Sequence, residues 1–361
     1  MSFKKTILLS VTLLASGLIN AQTTQRIPLY ETFTSSTCPP CNPGNVHLEE
    51  LFDQPENEGK FTSLKYQMSW PGTGDPYYTI EGGSRRSLYG INSVPRLELD
   101  GGFDAGPTGL TQEDMDAAYT TESLIELTAN YQLNEPTQTV SVQVSVKALQ
   151  EIESSGGLFL HVAIFEKLTT GNVKSNGETE FEHVMKKMVP SSTGNYLGGM
   201  EADEVQSFEL TYTFNGDYVL PPNAESPIDH LESHSIEEFS DLGVAVWVQR
   251  SSTREVYQSG YAVAGTSGVV ENATDPLQLS IYPNPANDIS RIVYTGSIKS
   301  DEVAVTIFDN TGKVVLKRLI TNSGTESHTI ELDTKELENG IYFVTVNTKE
   351  AKQTMKLIVI H

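Results

Sequence analysis

TSSTCPPCNPGN, residues 34–45, holds both cysteines of a 361-residue chain, Cys38 and Cys41, with only Pro39 and Pro40 between them. A C-x-x-C can be a working dithiol, a static cross-link or half of a metal site. The neighbouring sequence narrows the choice. RIPLYETFT, residues 26–34, is apolar and rich in β-formers, which predicts a buried strand. NVHLEELFDQ, residues 45–54, puts Val46, Leu48, Leu51 and Phe52 on one helical stripe. The pair therefore stands between a strand and the start of a helix. There, backbone N–H groups and the helix dipole stabilise a thiolate, the nucleophile of disulfide exchange. Cys38 is the expected exposed nucleophile and Cys41 the buried resolving cysteine. Pro39 and Pro40 fix φ and remove donors, so the loop stays rigid. Pro43 inside a helix would cost about 3 kcal/mol, so the helix is expected to restart with Pro43 as its first position.

A zinc site is the weaker alternative. Structural zinc takes four ligands, and none of the seven histidines falls in a C-x-x-C…H-x-x-x-H spacing. His230 and His234 are four apart, but in an acidic stretch rich in Pro and Ser, and are expected at the surface. No metal or cofactor is expected.

The rest of the chain sets the context. Length suits two or three domains. The net charge of −23 disfavours nucleic acid or an anionic membrane as partner. The charge is uneven: residues 277–361 carry 9 Lys/Arg and 10 Asp/Glu, whereas residues 1–276 carry 15 against 37, a net of −22. MSFKK followed by TILLSVTLLASGLI reads as a signal peptide over residues 1–21, with cleavage after Ala21. No later apolar run is long enough for a membrane-spanning helix. Export implies an oxidising compartment, where a cysteine pair tends to be a disulfide.

Between 22 and 123 the elements alternate strand, helix, strand, helix, strand, an α/β pattern. KFTSLKYQM (60–68) is a second strand, SWPGTGDPYYTIEGG (69–83) an inserted polar loop, and SRRSLYGINSVPRLELDGG (84–102) a helix, a turn, a Pro-led strand and an Asp-Gly turn. Thr111 followed three residues later by Asp114 marks a helix start. From 124 to 264 the period becomes two, as in an antiparallel β-sandwich, with a helical patch at EFEHVMKKMV (180–189). AGTSGVVENATDP, residues 264–276, contains a linker over 265–276. A second small β-sandwich follows over 277–361.

Three resemblances add to this reading. The C-x-x-C after a strand, with YGINSVPRL (89–97) far downstream, resembles the thioredoxin superfamily. That resemblance implies a cis-proline at Pro95 packed against the cysteines, and Val94 presenting backbone to a substrate, with Pro39 and Pro40 beside it. It also exposes two departures. Thr37 stands where the family has Trp, and Thr32 where it has a buried acid. Glu31, one position earlier, is the candidate proton acceptor, or else faces a sheet edge. ETFTSSTCPPCNPGNVHLEEL (31–51), with HVAIFEKL (161–168) and EFEHVMKKMVP (180–190), is similar to the Omp twenty-eight-related surface proteins of Bacteroidota. These pair a thioredoxin-like domain with a β-sandwich. IYPNPANDI (281–289), VTIFDNTGKVV (305–315) and LENGIYFVTVNTKEAKQTMKLIV (337–359) resemble the type A sorting domain of the type IX (Por) secretion system. Pro283, Asn284, Pro285, Gly312 and Gly340 match its pattern. Gly312 and Gly340 also fit turns that need positive φ.

The resulting expectation is an exported thiol–disulfide oxidoreductase or isomerase, held at the cell surface or secreted. Its partners would be protein thiols or disulfides and the type IX machinery. The alternative is a surface binding or scaffold protein whose CPPC disulfide is static.

Overall fold

A computed structural model describes residues 22–265, 278–295, 302–310, 312–321, 327–347 and 352–361. The expected signal peptide and most of the expected linker lie outside these residues. The chain is mostly β, with few helices and several sheets.

The first strand, β1 (Leu29–Thr34), leads through the CPPC turn into α1 (Cys41–Phe52). Then come β2 (Thr62–Gln67), α2 (Ile80–Tyr89), β3 (Arg96–Leu99), β4 (Phe103–Ala105) and α3 (Gln112–Tyr119). Pro43 does not restart the helix. It is the third residue of α1, in the first turn, where a missing N–H leaves no helical bond unmade. Val46 lies off the buried stripe and is 48% exposed. Thr111 caps α3 in a capping box with Asp114. The Asp100-Gly101 turn has positive φ at both residues, 51° and 73°.

The sandwich strands are β5 (Ile125–Asn134), β6 (Thr139–Ala148), β7 (Leu158–Thr169), β8 (Phe181–Val189), β9 (Val205–Thr213), β10 (Leu242–Arg250) and β11 (Val256–Tyr261). The stretch 181–189 is a strand, not the helix its pattern suggests. A bulge between Met185 and Lys187 interrupts the two-residue alternation, and the resulting spacing of Val184, Met185 and Met188 imitates a helical face.

One sheet runs through the expected boundary at 123, in the order β11-β10-β7-β8-β2-β1-β3-β4. The join is the parallel contact of β8 with β2, Val184 beside Lys65. β7 and β10 are buried on both faces. Leu158, Leu160, Val162 and Ile164, with Val244, Val246 and Val248, face the sheet built from β5, β6 and β9. Ala163, Phe165, Ala245 and Trp247 join Leu29, Phe33, Leu64 and Tyr66 in a second core under α2. A third core, with Tyr30, Leu48, Phe52, Leu97 and Met115, lies on the α1 side of β1. At about 25 cal/mol per Å² of buried apolar area, such doubly covered strands anchor the whole assembly.

The C-terminal part folds as two sheets. One is β12 (Gln278–Tyr282), β13 (Ile289–Thr295) and β16 (Ser327–Asp333) in the order β12-β13-β16. The other holds β14 (Glu302–Asp309), β15 (Val314–Thr321), β17 (Gly340–Asn347) and β18 (Lys352–Val359) in the order β15-β14-β17-β18. They enclose their own core, which includes Ile281, Ile292, Val305, Val344 and Leu357. Phe308 and Phe343 of this unit meet Phe159 and Tyr196 of the sandwich.

Candidate functional site: the CPPC disulfide

Cys38 and Cys41 form a disulfide, with Cα atoms 5.3 Å apart. They are therefore joined to each other rather than to a metal. The backbone prepares the closure: Cys38 N donates to Ser35 O at 3.0 Å, and Cys41 N to Cys38 O at 3.0 Å. Cys41 is the first residue of α1, and no acidic residue occupies that helix's first turn. The helix dipole thus acts on the cysteines unopposed by a local carboxylate.

The Val94–Pro95 peptide is cis. The Val94 carbonyl oxygen lies 3.6 Å from Cys38 Sγ. Gly44 permits this packing: a Cβ there would stand 3.4 Å from Pro95 Cγ and 3.3 Å from Pro107 Cβ. Pro39 and Pro40 are exposed, but the cysteines beside them are not. Cys38 is 1% exposed and Cys41 0%, so Cys38 is not the open nucleophile that its position suggests.

Two distant segments are tied to the turn around it. From the 69–79 segment, Pro71 O accepts from Thr37 Oγ1 at 2.6 Å. Asp75 accepts from Ser36 N at 3.0 Å and from Tyr77 N at 2.8 Å. Burial pushes the Asp75 carboxyl above its usual range. From the sandwich, Asn172 Nδ2 donates to Asp75 Oδ2 at 3.1 Å. Asn176 N donates to Ser36 O at 2.9 Å, and its side chain donates to Ser35 O at 3.2 Å. Asn42 Nδ2 returns a bond to Asn176 O at 3.1 Å.

The acids on the two faces of β1 differ from expectation. Glu31 lies on the α2 side of the sheet, away from α1. Arg85 grips it through two bonds, Nε to Oε1 at 2.8 Å and Nη2 to Oε2 at 2.6 Å, and Tyr66 and Tyr89 donate to it as well. Thr32, between Tyr30 and Thr34, is on the face of that strand toward α1. The carboxylate that reaches the α1 side is Glu178, which accepts from Asn45 Nδ2 at 2.6 Å and also from Asn176. Burial raises its affinity for a proton. Sequence reasoning passed over Glu178, Asn176 and Asn45. Nothing local marks Glu178, which stands 137 positions after Cys41. Asp75 had a weak signal in its Asp-Pro pair.

Other histidines and acids form separate groups. His230 and His234 are buried, not at the surface, at 1% and 5% exposure. His230 packs edge-on against Phe214 and bonds Ser235, while His234 bonds Gln138. Glu49, Glu182 and His183 bring ligand atoms within 4.8 Å of one another, but Lys65 already pairs with Glu49 there.

The matched tail positions converge in part. Tyr282–Pro283 and Asn284–Pro285 are cis peptides. Asn284 Nδ2 donates to Lys356 O at 2.7 Å and its Oδ1 accepts from Ile358 N at 2.8 Å, tying the PNP turn to β18. Gly312 turns at φ 85°, but Gly340 simply opens β17 without a positive φ.

Residues 280–360 match the secretion system C-terminal sorting domain, Por_Secre_tail. Such a tail indicates export by the type IX route, to the cell surface or the medium, and engagement of its machinery. The solved structure of HBP35 of Porphyromonas gingivalis is similar across 93% of this chain and 99% of its own, at 14% identity and a TM-score of 0.50. A domain of the outer membrane lipoprotein Omp28 from the same organism matches over 40% of this chain and 92% of its own, at 17% identity and a TM-score of 0.24. No curated protein matches. Among the described residues no helix is long and apolar enough to cross a membrane.

Proposed function

We propose that this is a thioredoxin-like thiol–disulfide exchange protein, oxidoreductase or isomerase, carried to the cell surface through a signal peptide and the sorting tail. One observation carries the reading. The disulfide sits at the N-terminus of α1, with Cys38 Sγ beside the carbonyl of Val94 and its cis-Pro95. A thiolate at Cys38 would be stabilised by the first-turn N–H groups. Val94, Pro39 and Pro40 would flank an incoming protein thiol or disulfide, and Cys41 would resolve the mixed disulfide.

The burial of both sulfurs supports a second reading, a binding or scaffold protein whose disulfide is static. Alkylation separates the two. After mild reduction of the native protein, Cys38 is expected to be labelled before Cys41, and the wild type to reduce insulin where Cys38→Ser does not. Labelling only after denaturation, or equal insulin rates, would leave the static reading.

A further inference from the structure

Cys41, Asn45, Leu48 and Phe52 form the stripe of α1 that faces the sheet. Opposite them, Thr32 and Thr34 of β1 stand beside Lys65 and Gln67 of β2. Under Leu48 and Phe52 this layer is apolar. Under Cys41 and Asn45 it is polar and incompletely satisfied. Thr32 Oγ1, Asn45 Oδ1 and both amide atoms of Gln67 are buried with no hydrogen-bond partner among the described residues. Buried polar atoms are as a rule paired, and a group of this kind is what ordered water bridges. Glu178 enters the same layer by its bond to Asn45, one helical turn beyond Cys41.

Resting on the exchange reading above, we infer that Glu178, supplied by the sandwich, is the group that gives a proton to Cys41 and takes it back. A target thiolate attacks Cys38 Sγ, and the Cys38–Cys41 bond breaks. The electron pair leaves on Cys41, which takes the proton of Glu178. The second target thiolate then attacks its own mixed-disulfide sulfur and expels Cys38 as thiolate. The target dithiol is oxidised to a disulfide and the protein's disulfide is reduced to a dithiol. In the reverse direction Cys41 returns its proton to Glu178 before it attacks Cys38 Sγ.

The charges around Glu178 support a proton that moves both ways. Burial, with Asp75 of the 69–79 segment, favours its acid, whereas the N–H donors of Asn45 and Asn176 and the charge of Lys65 of β2 favour its anion. Lys65 itself bonds Glu49 of α1, with Glu182 of β8 nearby. β1 contributes no charge to this side, because Glu31 faces the other way. The path from Cys41 to solvent would run through Glu178, Lys65 and the partly exposed Glu49.

The test is the rate at which dithiothreitol reduces the native disulfide, measured across pH. The wild type should show an ionisation beyond that of the reagent's own thiol. Glu178→Gln should lose it and react about 100-fold more slowly, the lower end for a positioned acid–base group. Matching pH profiles would overturn the inference and leave the exchange reading standing. A wild-type disulfide that resists reduction until denatured would overturn the exchange reading and this inference with it. Should Glu178→Gln fail to fold, the wild type still decides. The Glu178 carboxyl carbon, followed by NMR, should titrate differently in the oxidised and reduced proteins, and identical titrations would overturn the inference.

Discussion

Glu31 and Glu178 are buried carboxylates on opposite faces of the same strands, and their partners are of different kinds. Glu31 is held by a guanidinium that also bonds Gln249, and by two phenols; Tyr89 of that set is itself tied to Gln249. Such a group is gripped bidentately by a planar fork of donors. Glu178 is held directly by two amides. Burial raises its affinity for a proton, although both amides donate N–H groups to it and so favour the anion. On the α2 face the polar atoms of the Glu31 group are all bonded, although Trp247 Nε1 and His161 Nδ1 in the same core are not. On the α1 face the layer under Cys41 and Asn45 leaves four polar atoms without a partner among the described residues. Breaking each face separately measures that difference.

The largest effect should come from Glu31→Gln. It leaves Arg85, 1% exposed, without its counter-charge. Removing one member of a buried pair costs about 3–5 kcal/mol. Urea unfolding at neutral pH should show that loss. A change below about 1 kcal/mol would mean that the phenols and Gln249 suffice for Arg85, and that the α2 face is not a charged lock.

Lys65 should give the next largest effect, and it is visible as a pH dependence. Burial lowers the lysine from its usual 10.5 to about 8. Between those values the unfolded chain holds a proton that the folded chain has lost, so stability rises with pH across that window. Below about 8 the folded state bears the full cost of a buried ammonium. The rise should be on the order of 3 kcal/mol. Lys65→Met should flatten it. Parallel curves for the two proteins would show that Lys65 is ionised in the fold as easily as in water, and would weaken the proton path drawn through it.

Much of this fold was legible from local pattern. The strand, the CPPC turn and the helix follow from composition and spacing, as do the Asp-Gly turn and the Thr111–Asp114 cap. The tail was legible from Pro283–Pro285 and its alternating strands. What escaped was non-local. β8 read as a helix because a bulge changed its period. The burial of Cys38 depends on segments 69–79 and 172–178, whose docking no local pattern encodes. Glu31 and Thr32 are adjacent in sequence, so sequence alone offered the acid without saying which face of the sheet it takes. Register decides that, and a shift of one residue exchanges the faces. Glu178 was invisible for the same reason: only the pairing of β8 with β2 brings its segment to α1.

Thr32→Val should give the smallest effect, and it makes the sharpest comparison because Thr32 is the neighbour of Glu31. The substitution keeps the β-branched shape and deletes one hydroxyl that has no partner among the described residues. Losing a hydroxyl bonded within a rigid network leaves its partner unsatisfied, which costs about 1–3 kcal/mol. Losing one bonded only to exchangeable water costs little, because the water can turn to other acceptors. Thr32→Val should therefore change the unfolding free energy by less than about 1 kcal/mol, with either sign. Neighbouring residues of one strand would then differ several-fold in what their polar groups contribute. A cost above about 2 kcal/mol would place Thr32 in a network as tightly satisfied as that of Glu31. In that case the layer under Cys41 would be rigid, and the view of it as a hydrated passage for protons would fail.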